Sequence, residues 1–169
     1  MSGVYEVRAI APEVLERLRE RDDAGRPPRR VTEDGEGGTP LRCCLRRGGP
    51  GEELALLSYA PLRRWARETG AEPGAYDETG PVFVHAVDCG GWSGDPGRYP
   101  VALHGERRVL RAYSARGTIL GGRLLDGQAV SVDRALTELY EDPEVAAVHV
   151  RAVEFGCFHA ETRRVAEAR

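Results

Sequence analysis

The sequence predicts an α+β fold, built mainly from an antiparallel sheet of about seven strands with two main helices packed on one face. Three observations carry that reading. Segments with strict two-residue alternation recur along the chain, joined by short Gly- and Pro-containing turns. Two segments show the 3.6-residue apolar stripe of an amphipathic helix. The strands come in runs instead of alternating with helices, which separates an α+β from an α/β arrangement. The second sheet face is expected to stay partly open to solvent, as antiparallel sheets allow.

A chain of 169 residues corresponds to one domain spanning residues 1–169, long enough to bury about 70% of its unfolded surface without a covalent staple. Apolar residues make up 41% and charged residues 30%, the balance of an ordinary globular protein. A net charge of −3 argues against nucleic acid as a partner. All 24 basic residues are arginine, the side chain best suited to bidentate contact with carboxylate or phosphate. The first 30 residues hold no secretory pattern and no stretch approaches 18 apolar residues, so the expectation is a cytoplasmic protein with no membrane partner. Two of the four cysteines, Cys43 and Cys44, are adjacent, which suits reduced thiols better than a disulfide framework.

In chain order, residues 4–10 read as a strand. Pro12 opens a helix striped by Val14, Leu15 and Leu18 that ends near Arg21. Residues 22–38 hold four glycines, two prolines and many charges, and read as a mobile loop. Residues 40–46 alternate Leu41, Cys43 and Leu45 against Arg42, Cys44 and Arg46. With the turn Gly48–Gly51 and the apolar run 53–59 they predict a hairpin, with Cys43 on its core side. Residues 61–69 read as a short helix closed by Gly70, and 71–80 as loop. Residues 81–87 form a strand, followed by a loop to about Glu106. Residues 107–114 and 118–125 are strands around a turn at 115–117. Ser131 caps a helix striped by Val132, Ala135, Leu136, Leu139 and Tyr140, which Asp142–Pro143 stops.

The final stretch, 144–165, reads as a hairpin around a three-residue turn, Glu154–Phe155–Gly156, with glycine in the left-handed position. That register sets Val153 opposite Cys157, Arg151 opposite His159 and His149 opposite Glu161. His149, Arg151, Cys157, His159, Glu161 and Arg163 then share one face.

Several stretches resemble a known family: Pro40-Leu41-Arg42-Cys43, Leu56-Leu57-Ser58-Tyr59, Gly80-Pro81-Val82-Phe83-Val84-His85 with Cys89, Leu110-Arg111-Ala112-Tyr113, and His149-Val150-Arg151 through Gly156-Cys157. In this order and spacing they are similar to an uncharacterised bacterial family, number 1203 among the domains of unknown function, from about residue 40 to the end. The resemblance implies a small single-domain bacterial protein and implies no activity. The sequence departs from the family pattern at Ala152, where an asparagine is usual, and a role resting on that amide is placed in doubt.

The residues point to a polar sheet face that binds a small anionic molecule. Arg42, Arg46, Arg111, Tyr113, Arg151 and His85 are the candidate ligand-binding residues. His149, oriented by Glu161, is a candidate general base, with His159 beside it in proton transfer and Cys157 as an accessory thiol. This reading is an enzyme using acid–base chemistry and requires no cofactor and no metal. The alternatives are a non-catalytic module binding a ligand or a protein on the same face, and a zinc-stabilised domain using His85, Cys89, Cys157 and His159. No Gly-rich phosphate loop, nucleophile elbow or H-E-x-x-H pattern is present.

Overall fold

The computed structural model describes residues 3–105, 107–127 and 131–167. Glu106, where one loop was expected to end, lies outside them. The described residues form eight strands and three α-helices in two antiparallel sheets. In chain order these are β1 (Tyr5–Arg8), α1 (Pro12–Glu20), β2 (Arg29–Thr32), β3 (Glu53–Tyr59), α2 (Pro61–Thr69), β4 (Gly80–His85), β5 (Arg107–Ser114), β6 (Ile119–Asp126), α3 (Val132–Leu139), β7 (Val145–Ala152) and β8 (Phe158–Arg164). The larger sheet has the order β1-β8-β7-β5-β6, and the smaller one β2-β3-β4. The α+β class therefore holds, but the strands divide between two sheets instead of forming one.

The helix signals in the sequence act locally. Pro sits in the first turn of both α1 and α2, where its missing N–H has no intrahelical acceptor to lose. Gly70 closes α2 at φ +78°, in the left-handed region open to glycine. The Ser131 hydroxyl accepts from the Arg134 N–H at 3.1 Å and caps α3.

The helices do not share one face, which corrects the expected packing. Val132, Ala135 and Leu136 of α3 join Leu110, Ala112, Val148 and Val150 on one side of the five-stranded sheet. Leu62 and Trp65 of α2 pack on Tyr113 and Ala147, whose positions alternate with those and so lie on the opposite side. Leu15 and Leu18 of α1 pack with the three-stranded sheet and with Phe158. The sheet face expected to be partly open is thus covered, and β7 is buried along most of its length. A strand covered on both faces is the usual pattern of a sandwiched central strand.

Two more expectations change. Residues 40–46 do not pair as a strand with β3. They make only isolated bridges, Pro40 to Arg47 and Leu41 to Phe83, and Leu45 takes a positive φ of 52° that breaks any extended run. The β3 edge is taken by β2, from within the stretch 22–38 expected to be loop. Strand β2 is Arg-Arg-Val-Thr with only Val31 apolar, so it carries no alternation by which a sequence reader would find it. No helix among the described residues is long and apolar enough to cross a membrane.

Candidate metal centre

Four potential metal-ligating side chains converge at the end of β4: Cys43, Cys44, His85 and Cys89, with their ligand atoms all within 4.8 Å of one another. The first two come from the turn that replaces the expected strand. Extended backbone would send Cys43 and Cys44 to opposite faces. The bend that ends at Leu45 brings both to the same side, where their sulfurs lie 3.8 Å apart. A left-handed non-glycine residue costs about 1–2 kcal/mol and persists only where its surroundings hold it. Here Leu45 is buried, and the turn is tied by Arg42 N–H to Phe83 O, Ile10 N–H to Arg42 O and Leu41 N–H to Arg46 O.

His85 ends β4 and presents Nδ1 to the thiols, 3.5 Å from Cys43 Sγ and 3.7 Å from Cys44 Sγ. Its other ring nitrogen, Nε2, donates to Glu52 Oε2 at 3.0 Å. A carboxylate only accepts, so Nε2 carries a proton and Nδ1 is the nitrogen turned toward the thiols. Glu52 is itself placed by the Gly49 N–H at 2.9 Å. The Gly49 N–H and the imidazole together hold its carboxyl below its ordinary value. The His85 backbone N–H donates to Cys43 Sγ at 3.2 Å. The Cys43 S–H, aimed at Cys44, pulls the Cys44 thiol below its ordinary value while Cys43 is pushed up. Arg46, exposed beside the turn, adds its charge to the same lowering of Cys44. Cys43 and Cys44 are buried, Cys89 is half-buried, and all are free thiols.

These distances can be set against coordination geometry. Zinc–sulfur bonds of about 2.3 Å and zinc–nitrogen bonds of about 2.05 Å at tetrahedral angles put two sulfurs ~3.8 Å apart and a nitrogen ~3.5 Å from each sulfur. Three ligand-to-ligand distances of 3.8, 3.5 and 3.7 Å form one face of such a tetrahedron. Cys89, on the loop after β4, brings a third sulfur within 4.8 Å of the other ligand atoms, so the four residue types make up a Cys3His set.

The other sequence-predicted residues fall in three places. His149 does oppose Glu161, with Nε2 donating to Oε2 at 2.8 Å. His149 is only 1% exposed, whereas Glu161 lines the cavity beneath the segment leading into α1. Glu161 also accepts from Arg163 Nε at 2.6 Å, and Arg163 reaches Glu68 at 2.5 Å. Burial pushes the Glu161 carboxyl up, but the bond from His149 and the charges of His149 and Arg163 outweigh it, leaving it below the ordinary carboxylate value. Arg111 and Arg151 share the sheet face with this pair, yet both are occupied by a carboxylate of the protein. Glu78 Oε1 accepts from Arg111 Nη1 at 2.5 Å and from Arg151 Nη2 at 2.8 Å, with the Tyr113 hydroxyl 3.4 Å from Arg111. Cys157 lines a cavity of about 200 Å³ with Arg151 and Glu78.

His159 does not oppose Arg151. The register shifts between Val150 and Arg151, so Arg151 pairs with Phe158 and His159 is the extra residue of a bulge. The turn is correspondingly longer than three residues, running between Ala152 and Phe158, although Gly156 is left-handed as its position required. His159 and Arg42 instead line a cavity on the far side of Phe158, under the segment leading into α1. His85 and Arg46 belong to the cysteine cluster. The zinc set built from spacing is therefore corrected: His85 and Cys89 are present, but Cys157 and His159 are replaced by Cys43 and Cys44. The pair Cys43-Cys44 upstream of His85-x-x-x-Cys89 was the signal available. The alternation of residues 40–46 places the two thiols on opposite faces of a strand and so hides the cluster, and no local pattern marks Glu52.

A family model described as "Protein of unknown function (DUF1203)" matches residues 38–164. No curated protein and no solved structure matches the chain.

Proposed function

Since the chain belongs to the DUF1203 family, which has no assigned function, we propose from the geometry that it is a zinc-binding protein with a Cys3His centre at Cys43, Cys44, His85 and Cys89. The observation that carries this is the tetrahedral face formed by two sulfurs and a correctly oriented imidazole nitrogen. The second support is Glu52, which completes the carboxylate–histidine–metal relay common around zinc. A set of four protein ligands is closed to substrate and characterises structural sites. The centre would pin the 41–46 turn and the loop after β4 onto the end of the small sheet. It is favoured over acid–base catalysis at His149 and Glu161, because His149 is buried and Glu161 is already bound by both His149 and Arg163.

Elemental analysis of protein purified without chelator is expected to find about one zinc per chain. Cys43→Ser and Cys44→Ser are expected to lose it, and Cys157→Ser to keep it. Less than a tenth of an equivalent after incubation with zinc, or loss of zinc in Cys157→Ser but not in Cys44→Ser, would overturn the assignment. A 2-Da mass decrease on oxidation in the zinc-loaded protein would indicate a Cys43–Cys44 disulfide and count against it.

A further inference from the structure

A separate group of cations lies around the His159 bulge. Arg42 is buried, with Nε donating to Phe158 O at 2.7 Å and Nη1 donating to Pro40 O. Arg108 is buried as well, donating to Arg107 O at 2.6 Å and Leu103 O at 2.7 Å. Arg47 donates to Ala102 O, Gly38 O and His104 O. All their partners among the described residues are carbonyls, and none is a carboxylate. Taking a charge out of water without a counter-charge is costly, and buried cations are ordinarily paired.

Each of the other cations in the cavity wall has its own counter-charge. Arg163 pairs with Glu161 and Glu68, Arg64 with Asp23 and Arg8 with Glu6. Arg42 is the surplus charge, and it shares the wall with His159. That imidazole is 5% exposed, its Nδ1 is sealed without a partner, and neither ring nitrogen bonds the protein among the described residues. The Tyr99 hydroxyl is buried beside Arg108, outside the cavity wall. Buried orphan polar atoms in a native structure point to a missing water or ion. Burial first, and then the charges of Arg42, Arg108 and Arg47, pull the His159 ring down to about 3 and hold it neutral. The same three bear on Tyr99. The two carboxylates of the same cavity wall, Glu68 and Glu161, are both engaged by Arg163.

We infer that the cavity walled by Arg42 and His159 is a binding site for a small tetrahedral oxyanion such as phosphate, held by the Arg42 guanidinium and hydrogen-bonded by the His159 ring. The size agrees. The cavity measures about 60 Å³, or some four to six water-sized volumes at about 10–15 Å³ each, and a tetrahedral oxyanion has five non-hydrogen atoms. Guanidinium is the side chain that meets such an anion in a bidentate way. This site is independent of the zinc centre and uses none of its ligands. It also relocates anion recognition from Arg111 and Arg151, which Glu78 already occupies.

The test is thermal unfolding and titration calorimetry of the zinc-loaded full chain with inorganic phosphate, against chloride at equal ionic strength. Phosphate at a hundredfold excess over its Kd is expected to raise Tm by about 5–10 °C. Sulfate should act similarly. A phosphate monoester should fail if the cavity takes only the free anion, and should match phosphate if it takes a terminal phosphoryl group. His159→Phe, which fills the cavity, and Arg42→Met are each expected to abolish the shift. Should Arg42→Met fail to fold, His159→Phe decides alone. Absence of any shift beyond that of chloride, or an equal shift in wild type and His159→Phe, would overturn the site. Zinc content measured on the same samples keeps this outcome separate from the fate of the metal centre.

Discussion

Glu52→Gln is the sharpest single test of the metal centre, because it removes one charge and almost no volume. In the native arrangement Glu52 Oε2 is 3.0 Å from His85 Nε2 and the opposite ring nitrogen faces the thiols. The carboxylate would then stand about 6–7 Å from a metal bound at Nδ1. Zinc held by three thiolates leaves the centre with a net negative charge, so Glu52 acts through the hydrogen bond that orients the His85 ring and not by attraction to the ion. The Glu52 side chain is 43% exposed, where water competes for that bond. The expected loss of zinc affinity is therefore about tenfold, the lower end of the 10–100-fold range typical of an outer-shell carboxylate. The assay is competition for zinc against a chromophoric chelator at fixed pH. The apo protein should keep its Tm within about 2 °C, since an exposed ion pair contributes ~0–1 kcal/mol to stability. Unchanged zinc affinity in Glu52→Gln would refute the relay and with it the orientation argument for His85. A loss beyond a thousandfold would refute it too, because it would mean that Glu52 ligates the metal directly.

Two other predictions concern stability. Glu161 is bound by both His149 and Arg163 in a dry interior, so Glu161→Gln leaves buried charge uncompensated. The expected cost is about 3–5 kcal/mol, or a fall of roughly 10 °C in Tm; a fall under 2 °C by calorimetry would show that the pair carries little. Asp22 accepts backbone N–H bonds from Ala24, Arg26 and Ser58. Burial raises its carboxyl, but the three bonds win and hold it below the ordinary value. A depressed folded-state value means that the stabilisation is present above the unfolded value of about 3.9 and is lost as pH falls through the folded one. Denaturant melts from pH 6 to pH 2 should therefore show a shallower acid decline in Asp22→Asn than in wild type, and parallel curves would contradict the sign.

Much of the local structure was legible from short-range signals. The caps and stripes of α1, α2 and α3 depend on residues within a few positions of one another, so spacing alone places them. The opposition of His149 to Glu161 was also readable, because a two-residue period propagates register along a hairpin. Only to one side of the bulge did it hold. One extra residue at His159 moved that ring away from Arg151 and into the cavity with Arg42, and nothing in the alternation of residues 157–164 announces an inserted residue.

By itself, then, the sequence determined the residue types and the periodic elements: two kinds of secondary structure in an antiparallel arrangement, an all-arginine basic set, and two pairs of cysteine and histidine near enough in sequence to suggest ligation. Tertiary structure decided which of them meet. It divided the strands between two sheets, covered the polar face with α2 and the small sheet, set Glu78 between Arg111 and Arg151, and turned Cys43 and Cys44 to the same side beside His85. The physical reason is one of range. Periodicity and capping are settled by neighbours in the chain, whereas the metal centre and the counter-ions are settled by segments 33 to 73 residues apart, whose approach depends on how whole layers pack. At Leu45 the two ranges conflict. An alternating pattern that should extend is bent into the left-handed region by the packing around it, and that bend is what brings the two cysteine sulfurs together.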